Sequence, residues 1–145
     1  LERICTYGLF KDRKTEEEFW VFNTHFDHMG ARAREQSSGL ILKRINKINS
    51  RSLPVILMGD FNSIPDSPPV NKIKTELSDA LQISLAELQG PRGTFNGFNA
   101  DLPIEKRIDY IFTGNFKVLS YIHINDRLNN NRHISDHLPV MIKIQ

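Results

Sequence analysis

Two periods of apolar positions divide this chain. Ile4 to Lys11 and Glu18 to Asn23 read as short strands, and the stretch between them, Asp12-Arg13-Lys14-Thr15-Glu16-Glu17, is polar throughout. That arrangement predicts a β-hairpin. Phe19-Trp20-Val21-Phe22 is apolar at every position, so its strand should be covered on both faces. From Ala31 to Asn49 the period becomes helical. Ser38, Ile41, Leu42, Ile45 and Ile48 share one face, while Arg34, Glu35, Lys43, Arg44 and Lys47 fall mainly on others. Leu53 to Met58, rich in Leu, Val and Ile, predicts a buried strand and completes an α/β unit.

Asp66-Ser67-Pro68-Pro69 has the form of a helix start, with proline in the first turn and Val70, Ile73 and Leu77 following at helical spacing. Ser84 to Gln89 is expected to form a further short helix. Strands are expected at Arg107 to Phe112, Lys117 to Asn125 and Pro139 to Ile144, with a polar surface loop over 126–133. No repeat or low-complexity linker interrupts the pattern. The expectation is a mixed α/β chain of about six strands and two or three helices.

Composition narrows the class. The chain has 145 residues, the size of one ordinary domain, and is 39% hydrophobic and 25% charged, which excludes a disordered tract. Nineteen basic and 17 acidic residues give a net charge of +2, so charge alone demands neither a nucleic acid nor a membrane. No apolar run is long enough to span a bilayer. Cys5 is the single cysteine, so no internal disulfide forms and the redox compartment stays open. The chain starts at Leu1, directly before a strand, which leads to the expectation that upstream sequence is missing.

Polar residues gather where the apolar runs stop. The runs end in, or pass through, Asn23-Thr24-His25-Phe26-Asp27-His28, Gly59-Asp60-Phe61-Asn62, Arg107-Ile108-Asp109-Tyr110 and Ser135-Asp136-His137-Leu138-Pro139. Side chains at strand ends of open α/β sheets converge on a cleft. Asp60 and Asn62, two apart on an extended segment, face the same way and together suit a hard divalent cation and a phosphate; equally, they could close a turn. Asp136 and His137 are adjacent and should diverge, which suggests a metal ligand and a proton-handling group. Asp109 lies inside an apolar strand and must be paired, either with Arg107 as a structural partner or with a histidine that it holds in one tautomer.

These motifs, in this order, resemble the second half of the endonuclease/exonuclease/phosphatase superfamily, the DNase-like fold. Thr94-Phe95-Asn96-Gly97-Phe98 resembles a segment of its bacterial secreted-type hydrolases, the one hint of a secreted or periplasmic place. The resemblance implies half of a four-layer α/β-β/α sandwich: one mixed sheet with helices on one face, residues 1–145 forming the C-terminal half of the domain, and the first half absent. It implies a phosphoester hydrolase (phosphodiesterase, nuclease or phosphatase) that depends on Mg²⁺ or Mn²⁺.

Carried over by that resemblance, Asp60 positions or deprotonates the attacking water. Asn62 holds the scissile phosphate or supports the metal site, and Asp136 is a metal ligand. His137 contacts the phosphate as base or electrostatic stabiliser, oriented by Asp109 at hydrogen-bond distance. His25 donates to a phosphate oxygen, and Arg34 is a candidate substrate contact. The Asn and Glu ligands that the superfamily's first half supplies have no counterpart, since Glu16, Glu17 and Glu18 sit in the predicted hairpin turn. The 145 residues alone are therefore expected to be inactive, and to need the missing half, or a second copy, against an open sheet face. The alternative is a non-enzymatic binding module that retains the fold.

Overall fold

The computed structural model describes residues 2–145. Its elements are β1 (Cys5–Lys11), β2 (Glu18–His25), α1 (Ala31–Ile48), β3 (Val55–Asp60), α2 (Pro68–Lys74), β4 (Ser78–Asp79), β5 (Asp109–Gly114), β6 (Val118–His123) and β7 (Val140–Ile144). β1 and β2 form the expected antiparallel hairpin. The Asp12 carboxylate shapes its turn by accepting from the backbone of Lys14 and Thr15. β2 and β3 run parallel, joined across the sheet by α1, and β5 is antiparallel to β3.

One sheet face carries the helices. Phe22, Leu57 and Phe112 are fully buried there beneath Ile41, Leu42 and Ile45 of α1 and Ile73 of α2. Burial of each such side chain contributes about 1.5–3 kcal/mol. The buried Ser38 hydroxyl bonds the Pro69 carbonyl at 3.0 Å, tying α1 to the start of α2. Proline stands in the first turn of α2 as the sequence suggests. The preceding Ser67 hydroxyl donates back to Ile64 O at 2.6 Å instead of capping the helix.

The opposite face is covered by a separate ribbon. β6 and β7 pair with each other and not with the main sheet, so the architecture is a five-stranded sheet, ordered β1-β2-β3-β5-β4, plus a two-stranded one, where a single sheet of about six was expected. Val118, Tyr121, Val140 and Ile142 of the ribbon pack against Ile56, Met58 and Ile111 of the sheet. The hairpin's share of this face has no such cover: Phe10 remains 53% exposed beside Phe19. β7 pairs only with β6, so among the described residues its outer edge is free.

The expected helix over 84–89 does not form. Leu85 N donates to Val118 O at 3.1 Å, and His123 N donates to Gln89 O at 2.9 Å. The segment's backbone groups are thus taken by β6 and its flanks, and tertiary pairing overrides local preference.

Gly59 fixes the β2–β3 register. Its φ is +136°, and a Cβ there would lie 1.8 Å from the Thr24 carbonyl oxygen. Gly59→Ala is therefore expected to destabilise the protein by about 3 kcal/mol or more, through combined backbone strain and strand separation. Chemical denaturation of the two forms measures this; a change under about 1 kcal/mol would show that β2 and β3 can separate at little cost.

Candidate functional site

Register builds the site. His25 stands opposite Asp60 across β2–β3, and Asp60 stands opposite Asp109 across β3–β5. The three residues form one rung at one edge of the sheet. Alternation puts them on the face away from the helices, in phase with Val21, Met58 and Ile111. The chain then leaves β3 sharply. Asn62 takes a left-handed φ of +44°, and its backbone N–H donates to Asp60 Oδ1 at 2.7 Å. Asn62 Nδ2 donates to Asp60 Oδ2 at 3.1 Å and to the Phe26 carbonyl at 3.0 Å.

His137 arrives from the segment before β7. Its Nδ1 lies 2.8 Å from Asp109 Oδ2, the pairing expected from the sequence. Nε2 of the same ring lies 4.0 Å from Asp60 Oδ2, and His25 Nε2 lies 3.2 Å from that oxygen. Asp60, Asp109 and His137 each offer a ligand atom, and these atoms lie within 4.8 Å of one another. No lysine or arginine among the described residues pairs with either carboxylate. A cleft of about 250 Å³ opens beside them, lined also by Asn23, Met58, Leu138 and Val140.

Two expected residues stand apart from this group. Asp136 is next to His137, but its carboxylate faces the Ser135 hydroxyl at 3.5 Å, while its backbone carbonyl accepts from Asn96 N at 2.8 Å. Arg34 is engaged by backbone: Nη1 donates to Asp27 O at 3.0 Å and His28 O at 3.2 Å, fastening the turn between β2 and α1. It also lines, with Asn62, a cavity of about 420 Å³ behind that turn. The structural alternative for Asp109 is closed, because the buried Arg107 instead pairs with Asp79 of β4 and lies over the Tyr110 ring at 4.2 Å.

Thr94 belongs to this framework, although the sequence gives it no role of its own. Its buried hydroxyl oxygen accepts from Ile108 N and Asp109 N, each at 3.1 Å, and its carbonyl accepts from Leu138 N at 2.7 Å. One residue thereby joins the backbone of Asp109 to the backbone beside His137. Phe95 follows, with its ring edge-on to His137 at 5.1 Å and Lys106 Nζ at 5.0 Å on it. No spacing rule reveals Thr94, because its partners are backbone groups of residues distant in sequence.

Electrostatics single out Asp60. Burial, and secondarily the Asp109 charge, hold its carboxyl above the ordinary range, against the Asn62 N–H that favours the ionised form. Because the folded-state value lies above the unfolded one, the stability it contributes is present below the ordinary carboxylate range and lost as pH rises through the folded value. With chelator present, Asp60→Asn should therefore raise the melting temperature at pH 7 by a few degrees, and the gain should vanish at pH 3. Thermal unfolding at both pH values tests this, and a lower melting temperature at pH 7 would show that the contacts of Asp60 outweigh the cost of burying its charge.

A model of the Endonuclease/Exonuclease/phosphatase family matches residues 3–137. Among solved structures, a mannosyl-6-phosphatase from Bacteroides thetaiotaomicron is 33% identical with a TM-score of 0.90, over 99% of this chain and 57% of that one. An endonuclease/exonuclease/phosphatase family protein from the same organism is 34% identical with a TM-score of 0.90, over 98% and 56%. A Staphylococcus aureus beta toxin, solved with bound magnesium ions, is 16% identical with a TM-score of 0.72, over 95% and 56%, and shows the fold alone. The chain spans about half the length of the relatives it matches.

Proposed function

The chain belongs to the endonuclease/exonuclease/phosphatase family, and on that premise we propose that it carries the C-terminal half of the catalytic centre of a phosphoester hydrolase dependent on Mg²⁺ or Mn²⁺. The supporting observation is the convergence of Asp60, Asp109 and His137 within 4.8 Å, with no lysine or arginine among the described residues paired to either carboxylate. The carboxylates of this group would suit a hard divalent cation, which keeps several waters and takes one or two carboxylates. Asp136, next in the chain to His137, is the further carboxylate that a complete ligand set would recruit. When bound, the cation supplies charge neutralisation for the non-bridging phosphate oxygens.

The chain's own residues divide the remaining work. Asp109 accepts the Nδ1 proton of His137, so Nε2 presents a lone pair on the side of Asp60. A water between Nε2 and the Asp60 carboxylate loses a proton to one of them as its oxygen bonds to phosphorus. The bond to the leaving oxygen then breaks, and that oxygen takes up a proton. Asp60 is suited to the base role because burial makes it a stronger base than an ordinary carboxylate. Asn62 Nδ2 and His25 Nε2 both hold Asp60 Oδ2, and each is placed to donate to a phosphate oxygen as substrate enters. In this orientation Asn62 turns its amide nitrogen, not its oxygen, toward Asp60, so it acts as donor and positioner. A binding module has no use for two adjacent carboxylates that no lysine or arginine neutralises, since their mutual repulsion costs stability.

In the polypeptide carrying both halves of the domain, Asp60→Asn or His137→Ala should lower turnover of phosphoesters about a hundredfold or more, and chelation should abolish it until Mg²⁺ or Mn²⁺ is restored. Asp109→Asn should act through His137, lowering kcat more than it changes KM. A twofold effect in either of the first two variants would contradict these roles.

The same reading assigns a partner to the open face. Phe10 and Phe19 on the bare part of the sheet, and the free edge of β7, are where the remaining half of the domain, or a second copy, packs. The isolated 145 residues should therefore self-associate in size-exclusion chromatography with light scattering and show no hydrolysis with Mg²⁺. A well-behaved monomer that turns over phosphoesters would overturn this part of the reading.

A further inference from the structure

Residues 93–96 run between the two arms of the site. On one side Gly93 N donates to Ile104 O at 2.7 Å, and Thr94 N and Phe95 N both donate to Lys106 O, at 2.9 and 3.0 Å. Gly93 permits this close approach: a Cβ there would stand 2.5 Å from the backbone of Glu105 and Lys106. On the other side Thr94 O accepts from Leu138 N at 2.7 Å, Asn96 N donates to Asp136 O at 2.8 Å, and Asn96 Nδ2 donates to Ser135 O at 2.9 Å. Phe95 is thereby bridged both to Lys106 and to His137.

Beyond Lys106 the backbone N–H groups of Ile108 and Asp109 meet no carbonyl. Both donate to the Thr94 hydroxyl oxygen, at 3.1 Å each. Thr94 is fully buried, so water does not reach that oxygen. Toward β3, the Ile108 carbonyl accepts from Phe61 N at 2.9 Å. The backbone at Asp109 is therefore held from two sides, by β3 and by one threonine hydroxyl. From this fixed backbone the Asp109 carboxylate reaches His137 Nδ1 at 2.8 Å.

We infer, resting on the phosphoester-hydrolase reading above, that Thr94 is a positioning residue for the hydrolysis: its hydroxyl sets turnover through Asp109 and His137 without touching substrate. Removing the hydroxyl leaves two buried N–H groups without an acceptor, which is costly. They regain partners when the start of β5 moves off the 93–96 segment, and Asp109 moves with it. A misplacement of about 1 Å at a reacting centre is enough to cost about a hundredfold in rate. Valine has nearly the shape of threonine and keeps the backbone bonds to Lys106 and Leu138, so it isolates the part played by the hydroxyl. A threonine that served only the fold would change the melting temperature and leave the catalytic step as it was.

The test uses the polypeptide carrying both halves of the domain, with Mg²⁺, on 4-nitrophenyl phosphate and bis(4-nitrophenyl) phosphate, esters small enough to need no substrate-specific subsite. Thr94→Val should lower kcat about tenfold or more while KM changes less than about threefold. Thr94→Ser, which keeps the hydroxyl, should stay within about threefold of the wild type. Because Thr94 acts through Asp109, adding Thr94→Val to Asp109→Asn should cost less than about threefold more. If Thr94→Val does not fold, Thr94→Ala carries the same expectations. A wild-type kcat in Thr94→Val, a Thr94→Ser variant equally impaired, or losses that multiply in the double variant would overturn the positioning role while His137→Ala still abolishes turnover. A wild type that hydrolyses neither ester, or a His137→Ala variant that matches it, would overturn the hydrolase reading itself.

Discussion

The site depends on one rung of the sheet. His25, Asp60 and Asp109 sit opposite one another on three neighbouring strands, so the β2–β3 and β3–β5 registers decide whether the cluster exists. A slip of one residue would turn Asp60 toward the helix-covered core and replace it on the functional face by Gly59 or Phe61. Three features guard against that slip. Gly59 lets β3 approach the Thr24 carbonyl more closely than any side chain would allow. Phe61 is fully buried on the helix side against Phe26 and Phe112. Phe26 N donates to Asp60 O at 2.8 Å, extending the β2–β3 pairing beyond the rung. Hydrophobic packing on one face thereby fixes charged groups on the other.

The same rung explains which parts of the fold were legible. Strands β2, β3 and β5 announce themselves by apolar runs that end in polar residues, and α1 by its period, because each buries a face that local sequence must encode. That Asp109 has a partner was readable because a carboxylate within an apolar strand needs one, but the residues alone left Arg107 and a histidine open, and the choice of His137 came with the family resemblance. What stayed hidden depends on long-range pairing. β4 is two residues long and is held by β5 and by the buried Asp79–Arg107 pair, so no periodicity marks it. The segment over 84–89 has helical spacing but gives its backbone to β6. The separation of β6–β7 from the main sheet is invisible locally, since either sheet would bury the same alternating residues.

Thr94 is the instructive omission at the site. A buried threonine is ordinarily unremarked, yet this one links the start of β5 to the segment carrying His137 through three backbone groups. The Asp109–His137 contact is between side chains, but its distance is set by backbone separation, and Thr94 sets that separation. Arg34 is the converse. As an arginine near a phosphate-type motif it reads as a substrate contact, whereas two carbonyls of the β2–α1 turn occupy its guanidinium. Side-chain type suggests chemistry; the hydrogen bonds already made decide what remains available for it.

The placement of the ribbon also accounts for how His137 reaches the rung. β6 and β7 cover Ile56, Met58 and Ile111, so the segment entering β7 must cross the edge of the sheet where the rung lies. That crossing delivers His137 to Asp109. The long excursion between β6 and β7, over 124–139, is thereby obliged to pass the same edge, and its polar tip meets the 97–101 loop there. His133 of this excursion lines a small cavity, about 140 Å³, that His137 also lines from the segment before β7. An arrangement of this kind keeps Asp60 and Asp109 on rigid strands and brings His137 to them from a segment that Thr94 anchors.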